Sequence, residues 1–137
     1  MNGLLPLAWF LICSVPAVSG GLLELKSMIE EVTGKNALMS YGFYGCYCGL
    51  GGGGTPKDGT DWCCWAHDQC YGRLEEKGCE IWTQPYTYRF AQGLVTCGSG
   101  SFCQQQLCAC DQKLAYCLKR NLRSYNTYYL DFPQVFC

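Results

Sequence analysis

Residues 61–70 read DWCCWAHDQC, and the fold turns on what the cysteines in this stretch are doing. His67 is the only histidine among 137 residues; Cys63, Cys64 and Cys70 surround it, and Asp68 follows it directly. Three readings compete: a metal ligand among thiolates, a catalytic base, or an inert residue in a disulfide knot. The compartment decides the first, because thiolates hold zinc only where they stay reduced.

The compartment is written in residues 1–20, MNGLLPLAWFLICSVPAVSG. Leu4 to Ile12 form an apolar block interrupted only by Pro6, and Val18 and Gly20 suit positions −3 and −1 of a cut before Gly21. The expectation is a secretory signal peptide over 1–20, although its first residues carry no Lys or Arg, and a secreted domain over 21–137. A retained anchor would need roughly 20 apolar residues, more than this run supplies. Cys13 leaves with the signal, so 12 of the 13 cysteines remain, an even and dense set that reads as six disulfides rather than a zinc site. Sequence does not choose among the roughly ten thousand pairings.

A formal charge of −1 gives no basic surface for nucleic acid, so that partner is excluded. The charges are uneven: Lys119, Arg120 and Arg123 cluster near the C-terminal end, as a solvated helix end or as a patch for a polyanion. Gly21–Val32 sets Leu22, Leu25, Met28 or Ile29, and Val32 on one helical face, and Thr33-Gly34 ends it. Tyr41–Gly54 carries seven glycines and reads as irregular loop. A second helix is expected from about Asp58 to a stop at Gly78, a hairpin from Tyr86–Phe90 through Gln92-Gly93 to Leu94–Cys97, and a third helix over about 102–121. The tail to Cys137 is aromatic and irregular.

At 3.6 residues per turn, Cys63, His67, Cys70 or Tyr71, and Leu74 form one stripe of the second helix. Cys103, Leu107, Cys110 or Asp111, Leu114, and Cys117 or Leu118 form the inward stripe of the third. Asp111 thus falls in an apolar seam, where a carboxylate needs a partner, and the imidazole is the natural one if disulfides clamp the helices together. An Asp on one ring nitrogen leaves the other free as a general base; a purely structural pair is the equal alternative on periodicity. With no GxSxG elbow and every remaining cysteine bridged, such a base would activate water. Asp68 points about 100° away from His67. Carbonyls of the glycine-rich loop plus that carboxylate would make an oxygen site for Ca²⁺; a phosphate-cradling loop lacks the following Gly-Lys-Ser/Thr, and a plain flexible loop is the remaining reading.

CCWAHDQCY at Cys63–Tyr71, YGCYCGLGG at Tyr44–Gly52 and LCACDQKLAYC at Leu107–Cys117 together resemble the secreted phospholipase A2 family, in order and across essentially the whole of 21–137. The short wing and six bridges, with no cysteine beside Cys70, are most similar to its group V branch. The resemblance implies a mainly α, disulfide-rich fold: an N-terminal helix, a glycine-rich calcium loop, two long antiparallel disulfide-linked helices and a small two-stranded β-wing. It implies His67 as the base, Asp111 as its orienting partner, and Tyr71 and Tyr86 as supports of that aspartate. It implies Ca²⁺ on Asp68 and the carbonyls of Tyr47, Gly49 and Gly51. It also implies the pairs Cys46–Cys137, Cys48–Cys64, Cys63–Cys117, Cys70–Cys110, Cys79–Cys103 and Cys97–Cys108.

The activity so implied is calcium-dependent hydrolysis of the sn-2 ester of glycerophospholipids, by a secreted enzyme peripheral on membranes. Its expected partners are phospholipid membranes or lipoprotein-like aggregates, with a heparan-type polyanion or a cell-surface receptor for the basic end, and it is expected as a monomer. Leu22, Leu23 and Leu50 are the candidate interfacial residues, with Trp62 and Trp82 behind them. Two positions depart from the family pattern: Gly53 completes a run of four glycines, which would loosen the calcium loop, and Gln69 lies at a variable place. A non-catalytic binding protein on the same scaffold is the rival, disfavoured because His67 and Asp68 are both intact. A growth-factor-like disulfide module would leave the His and Asp stripes unexplained.

Overall fold

A computed structural model describes residues 20–137, so the expected signal segment lies outside the described residues except for Gly20. Helix α1 spans Gly20–Thr33, a short α2 Ala37–Tyr41, α3 Gly59–Glu76 and α4 Phe102–Arg120. Strands β1 (Phe43–Tyr44) and β2 (Cys48–Gly49) form one antiparallel pair, and β3 (Tyr88–Ala91) and β4 (Leu94–Cys97) another. Three 3₁₀ turns, the last at Gln134–Phe136, carry the chain to Cys137. The fold is the expected one: helical, with a small two-stranded wing and six disulfides.

Local chemistry sets the helix ends. Asp58 caps α3 by accepting from the Asp61 amide at 2.9 Å, and α4 opens with a capping box in which Ser101 and Gln104 each bond the other's backbone. Lys119 and Arg120 close α4, where cations complement the helix dipole. Along α1, Gly21, Met28, Ile29 and Val32 are buried, while Leu22 and Leu25 are only partly covered.

Two differences from the sequence reading have physical causes. The glycine-rich stretch is not wholly irregular, because β1 and β2 pair with Phe43 opposite Gly49 and Tyr44 opposite Cys48. Gly49 makes that approach feasible: its φ is +119°, and a Cβ there would stand 2.1 Å from the Gly42 carbonyl oxygen. The wing's first strand begins at Tyr88 rather than Tyr86, since the buried Tyr86 side chain is drawn inward to α4. Its turn is as read: Gln92 and Gly93 both have positive φ, the two-residue hairpin geometry that matches strand twist.

The helices α3 and α4 lie antiparallel, and two bridges join them, Cys63–Cys117 and Cys70–Cys110. Cys48–Cys64 and Cys46–Cys137 tie the glycine-rich loop to α3 and to the tail; Cys79–Cys103 and Cys97–Cys108 tie the α3 exit and the wing to α4. Two apolar clusters fill the interior, one around Met28, Leu74, Ile81 and Leu107, the other around Ile29, Tyr44, Leu114 and Leu118. The dyad helices are therefore held by covalent bonds as well as by packing. Replacing Cys63 and Cys117 by alanine leaves Cys70–Cys110 in place, so the cross-link removed closes only the short path through residues 63–70 and 110–117, and the change is expected to lower unfolding free energy by about 3 kcal/mol in the chain-entropy picture. Urea unfolding at 25 °C checks this, and an unshifted midpoint would contradict the clamp.

Candidate active site

The site is built around Asp111, which α4 buries completely. Its Oδ1 accepts from His67 Nε2 at 2.7 Å and from the Tyr71 hydroxyl at 2.6 Å, and its Oδ2 from the Tyr86 hydroxyl at 2.6 Å. A buried carboxylate is tolerable when several donors replace its water, and these three come from α3 and from the segment before β3. Burial, and then the charge and hydrogen bond of Asp111, push the Tyr71 and Tyr86 hydroxyls far above the ordinary phenol range, so both remain donors. Tyr71 follows His67 by one turn, with its ring 4.1 Å from the imidazole.

A carboxylate can only accept, so the proton in the His67–Asp111 bond sits on Nε2. That leaves Nδ1 with a lone pair, while the ring itself is held at a fixed angle. The arrangement can take a proton from a group presented to Nδ1.

Loop 46–57 is pinned to α3 by a residue to which sequence reasoning gave no part. Asp61, fully buried, accepts from the amides of Cys46, Tyr47 and Lys57, each at 2.8 Å. Gly45, with φ +60°, presses against the same carboxylate, where an added Cβ would come within 2.5 Å. Asp61 lies fifteen residues from Cys46 in sequence, and no periodicity signals a bond to loop backbone at that distance. The Tyr47 hydroxyl closes the loop by donating to the Gly54 carbonyl at 2.6 Å.

Asp68, seven residues and two turns beyond Asp61 on the same stripe, is the opposite case. It is half-buried and has no hydrogen-bond or ion-pair partner among the described residues. Burial raises its pKa, His67 lowers it and Asp61 raises it again, leaving it at about 6. A carboxylate desolvated without a donor is a place for a cation, and the surrounding oxygens suit a hard one. The residues therefore fit calcium: Asp68, Tyr47 and Gly49 line one cavity together with His67, while Gly51 follows outside that lining. Gly53 has open space where a side chain would go, so the run of four glycines is not demanded by packing there.

The cavity measures about 420 Å³, and its walls are mostly apolar, with Leu22, Leu25, Ile29, Leu114 and Leu118 among them. Its volume could take part of a hydrocarbon chain, and His67 is among its lining residues. Of the candidate interfacial residues, Leu22 and Leu50 line the mouth, and Leu50 is 86% exposed; Leu23 is exposed beside it without lining it. Leu38 and Phe43, unremarked in the sequence reading, are exposed at the same mouth. Trp82 lines the cavity, whereas Trp62 is exposed elsewhere and packs on Trp65.

Residues 22–130 match the family model described as Phospholipase A2. Over all 137 residues the chain is 77% identical to human phospholipase A2 group V, covering 99% of that protein, and 69% identical to the mouse protein of the same name, covering all of it. It is 53% identical to human group IID secretory phospholipase A2 over 115 residues, which are 83% of this chain and 79% of that one.

The donor set on Asp111 is directly testable. Tyr86→Phe strips Oδ2 of the only side-chain donor it has among the described residues and is expected to cost about 1–3 kcal/mol of stability at pH 7 by denaturant titration. A change below a few tenths would mean that Asp111 does not depend on that hydroxyl.

Proposed function

We propose that this chain, which belongs to the phospholipase A2 family and hydrolyses the sn-2 ester of glycerophospholipids, does so with calcium at Asp68 and with water activated by His67. The observation that carries this reading is the 2.7 Å bond between a fully buried Asp111 and His67, which lines an apolar cavity together with Asp68.

Asp68 and the carbonyls of Tyr47, Gly49 and Gly51 would hold the ion, which when bound supplies a Lewis acid for the substrate phosphate and for charge developing on the ester oxygen. The chain's own residues do the rest. Asp111 keeps the ring in the Nε2–H tautomer and stabilises the imidazolium; Nδ1 takes a proton from water and returns it to the departing alkoxide. Tyr71 and Tyr86 hold Asp111 in place without competing for the proton. Leu22, Leu25, Leu114 and Leu118 receive the acyl chain and keep bulk water from the ester. Asp61 fixes the loop carbonyls relative to Asp68, because loop and ligand hang from one helix.

The apolar rim of exposed Leu23, Leu38, Phe43 and Leu50 with the partly covered Leu22 would enter the lipid surface, making the protein peripheral on membranes or lipoprotein-like aggregates. No helix among the described residues is long and apolar enough to cross a bilayer. Residues 1–20 direct export, and the domain acts outside the cell as a monomer. Lys119, Arg120 and Arg123 are exposed and unpaired among the described residues, and would take a heparan-type polyanion or a receptor.

Fatty-acid release from phospholipid vesicles should require calcium, vanish with chelator, and fall at least a thousandfold in His67→Gln, as loss of a general base in this role implies. Release that survives chelation, or full activity in the variant, contradicts the mechanism.

A further inference from the structure

We propose that Gly53 sets the calcium affinity of this chain, because the ion must order residues 51–53 when it binds; this rests on the reading of Asp68 and the loop carbonyls as the calcium site. The loop is tied on both sides of that span. On one side the Cys46 and Tyr47 amides donate to Asp61 at 2.8 Å, Cys48 is bridged to Cys64, and Gly49 pairs with Phe43 in the β1–β2 ladder. On the other, the Gly54 carbonyl accepts from the Tyr47 hydroxyl at 2.6 Å, and the Lys57 amide donates to Asp61 at 2.8 Å. Gly54 also lies against the Cys137 backbone.

Between those ties the glycines at 51–53 form no hydrogen bond with other described residues. Gly51 and Gly52 are exposed, and Gly51 stands outside the cavity lining that holds Tyr47, Gly49 and Asp68. Two of the three ligand carbonyls, those of Tyr47 and Gly49, therefore belong to the tied part of the loop. The third, that of Gly51, belongs to the untied part. A backbone stretch without hydrogen bonds or burial samples many conformations. An ion that needs its carbonyl in one place loses part of its binding free energy to fixing it there.

Geometry singles out the glycine that governs this cost. Gly51, Gly52 and Gly54 have φ of +83°, +143° and +70°, where any side chain is strained. A Cβ on Gly52 would also stand 2.6 Å from the Tyr47 ring, and one on Gly54 1.6 Å from the Cys137 carbonyl oxygen. The conformation of the loop requires these three. Gly53 is different: its φ is not positive, and a Cβ there meets nothing within 4 Å. Alanine at 53 keeps the ordered conformation and takes freedom only from the unordered one. The glycine that stands there widens the ion-free ensemble and so weakens binding. The calcium concentration at which hydrolysis begins then depends on a residue that supplies no ligand to the ion.

Calorimetric titration of calcium into the lipid-free protein, beside urea unfolding in chelator, reads the two states separately. In Gly53→Ala the calcium Kd is expected to fall roughly 2- to 5-fold, the range for a compatible glycine-to-alanine change. The calcium-free unfolding midpoint should stay in place, because residues 51–53 are unordered on both sides of that transition. Gly51→Ala, held at φ +83°, should weaken binding instead. A Kd that does not fall in Gly53→Ala overturns the proposal, and a raised calcium-free midpoint beside it would show the span ordered before the ion arrives. Tightening in Gly51→Ala as well overturns it too, since backbone fit would then not set the sign. All of these outcomes leave the hydrolytic reading intact. Calcium uptake that survives Asp68→Asn, or none by the unmodified protein, fails the reading of the site, and the proposal with it.

Discussion

A carboxylate with no exposed surface, Asp111, is the constraint around which the rest is arranged. Left alone in the seam between α3 and α4 it would be costly, and one missing donor would leave a lone pair without water. The fold supplies three donors from two separate segments, which fixes where Tyr86 must enter and how α3 must be rotated. The bridges Cys63–Cys117 and Cys70–Cys110 flank the pair along the helices, so a rotation that broke the donor set would also strain covalent links. The histidine is thereby held in one orientation, as a proposed base requires.

Helix α3, which carries the histidine, also carries two aspartates with opposite treatment. Asp61 is fully covered and satisfied by three amides, which makes it an anchor for the loop. Asp68 is half-covered and unsatisfied, and its raised pKa expresses the cost. A structural carboxylate and a ligand carboxylate can thus be told apart by what surrounds them, although both lie on one stripe of α3. Placing them two turns apart ties the position of the loop carbonyls to that of the carboxylate they would share a cation with.

Much of the fold was legible because it obeys local rules. The three long helices follow the apolar period, their ends follow Asp58, Ser101 and Gly34, and Gln92-Gly93 marks the hairpin. The pairing of twelve cysteines was not legible from spacing and came only with the family resemblance. The short β1–β2 pair was hidden because its glycines read as irregular loop in the pattern, while in space they permit close strand approach. Asp61 escaped for a related reason. It acts on loop backbone across a long sequence separation and lies in no repeating pattern that a linear reading detects.

One consequence of the Asp111 arrangement can be read on a single atom. Because His67 is the only histidine, its ring nitrogens give unambiguous nitrogen-15 resonances in the uniformly labelled protein. For the neutral ring the account predicts the proton on Nε2, with a deshielded Nε2–H proton protected from exchange and Nδ1 at the shift of an unprotonated nitrogen. A ring protonated at Nδ1, or a rapid average of both tautomers, would contradict it.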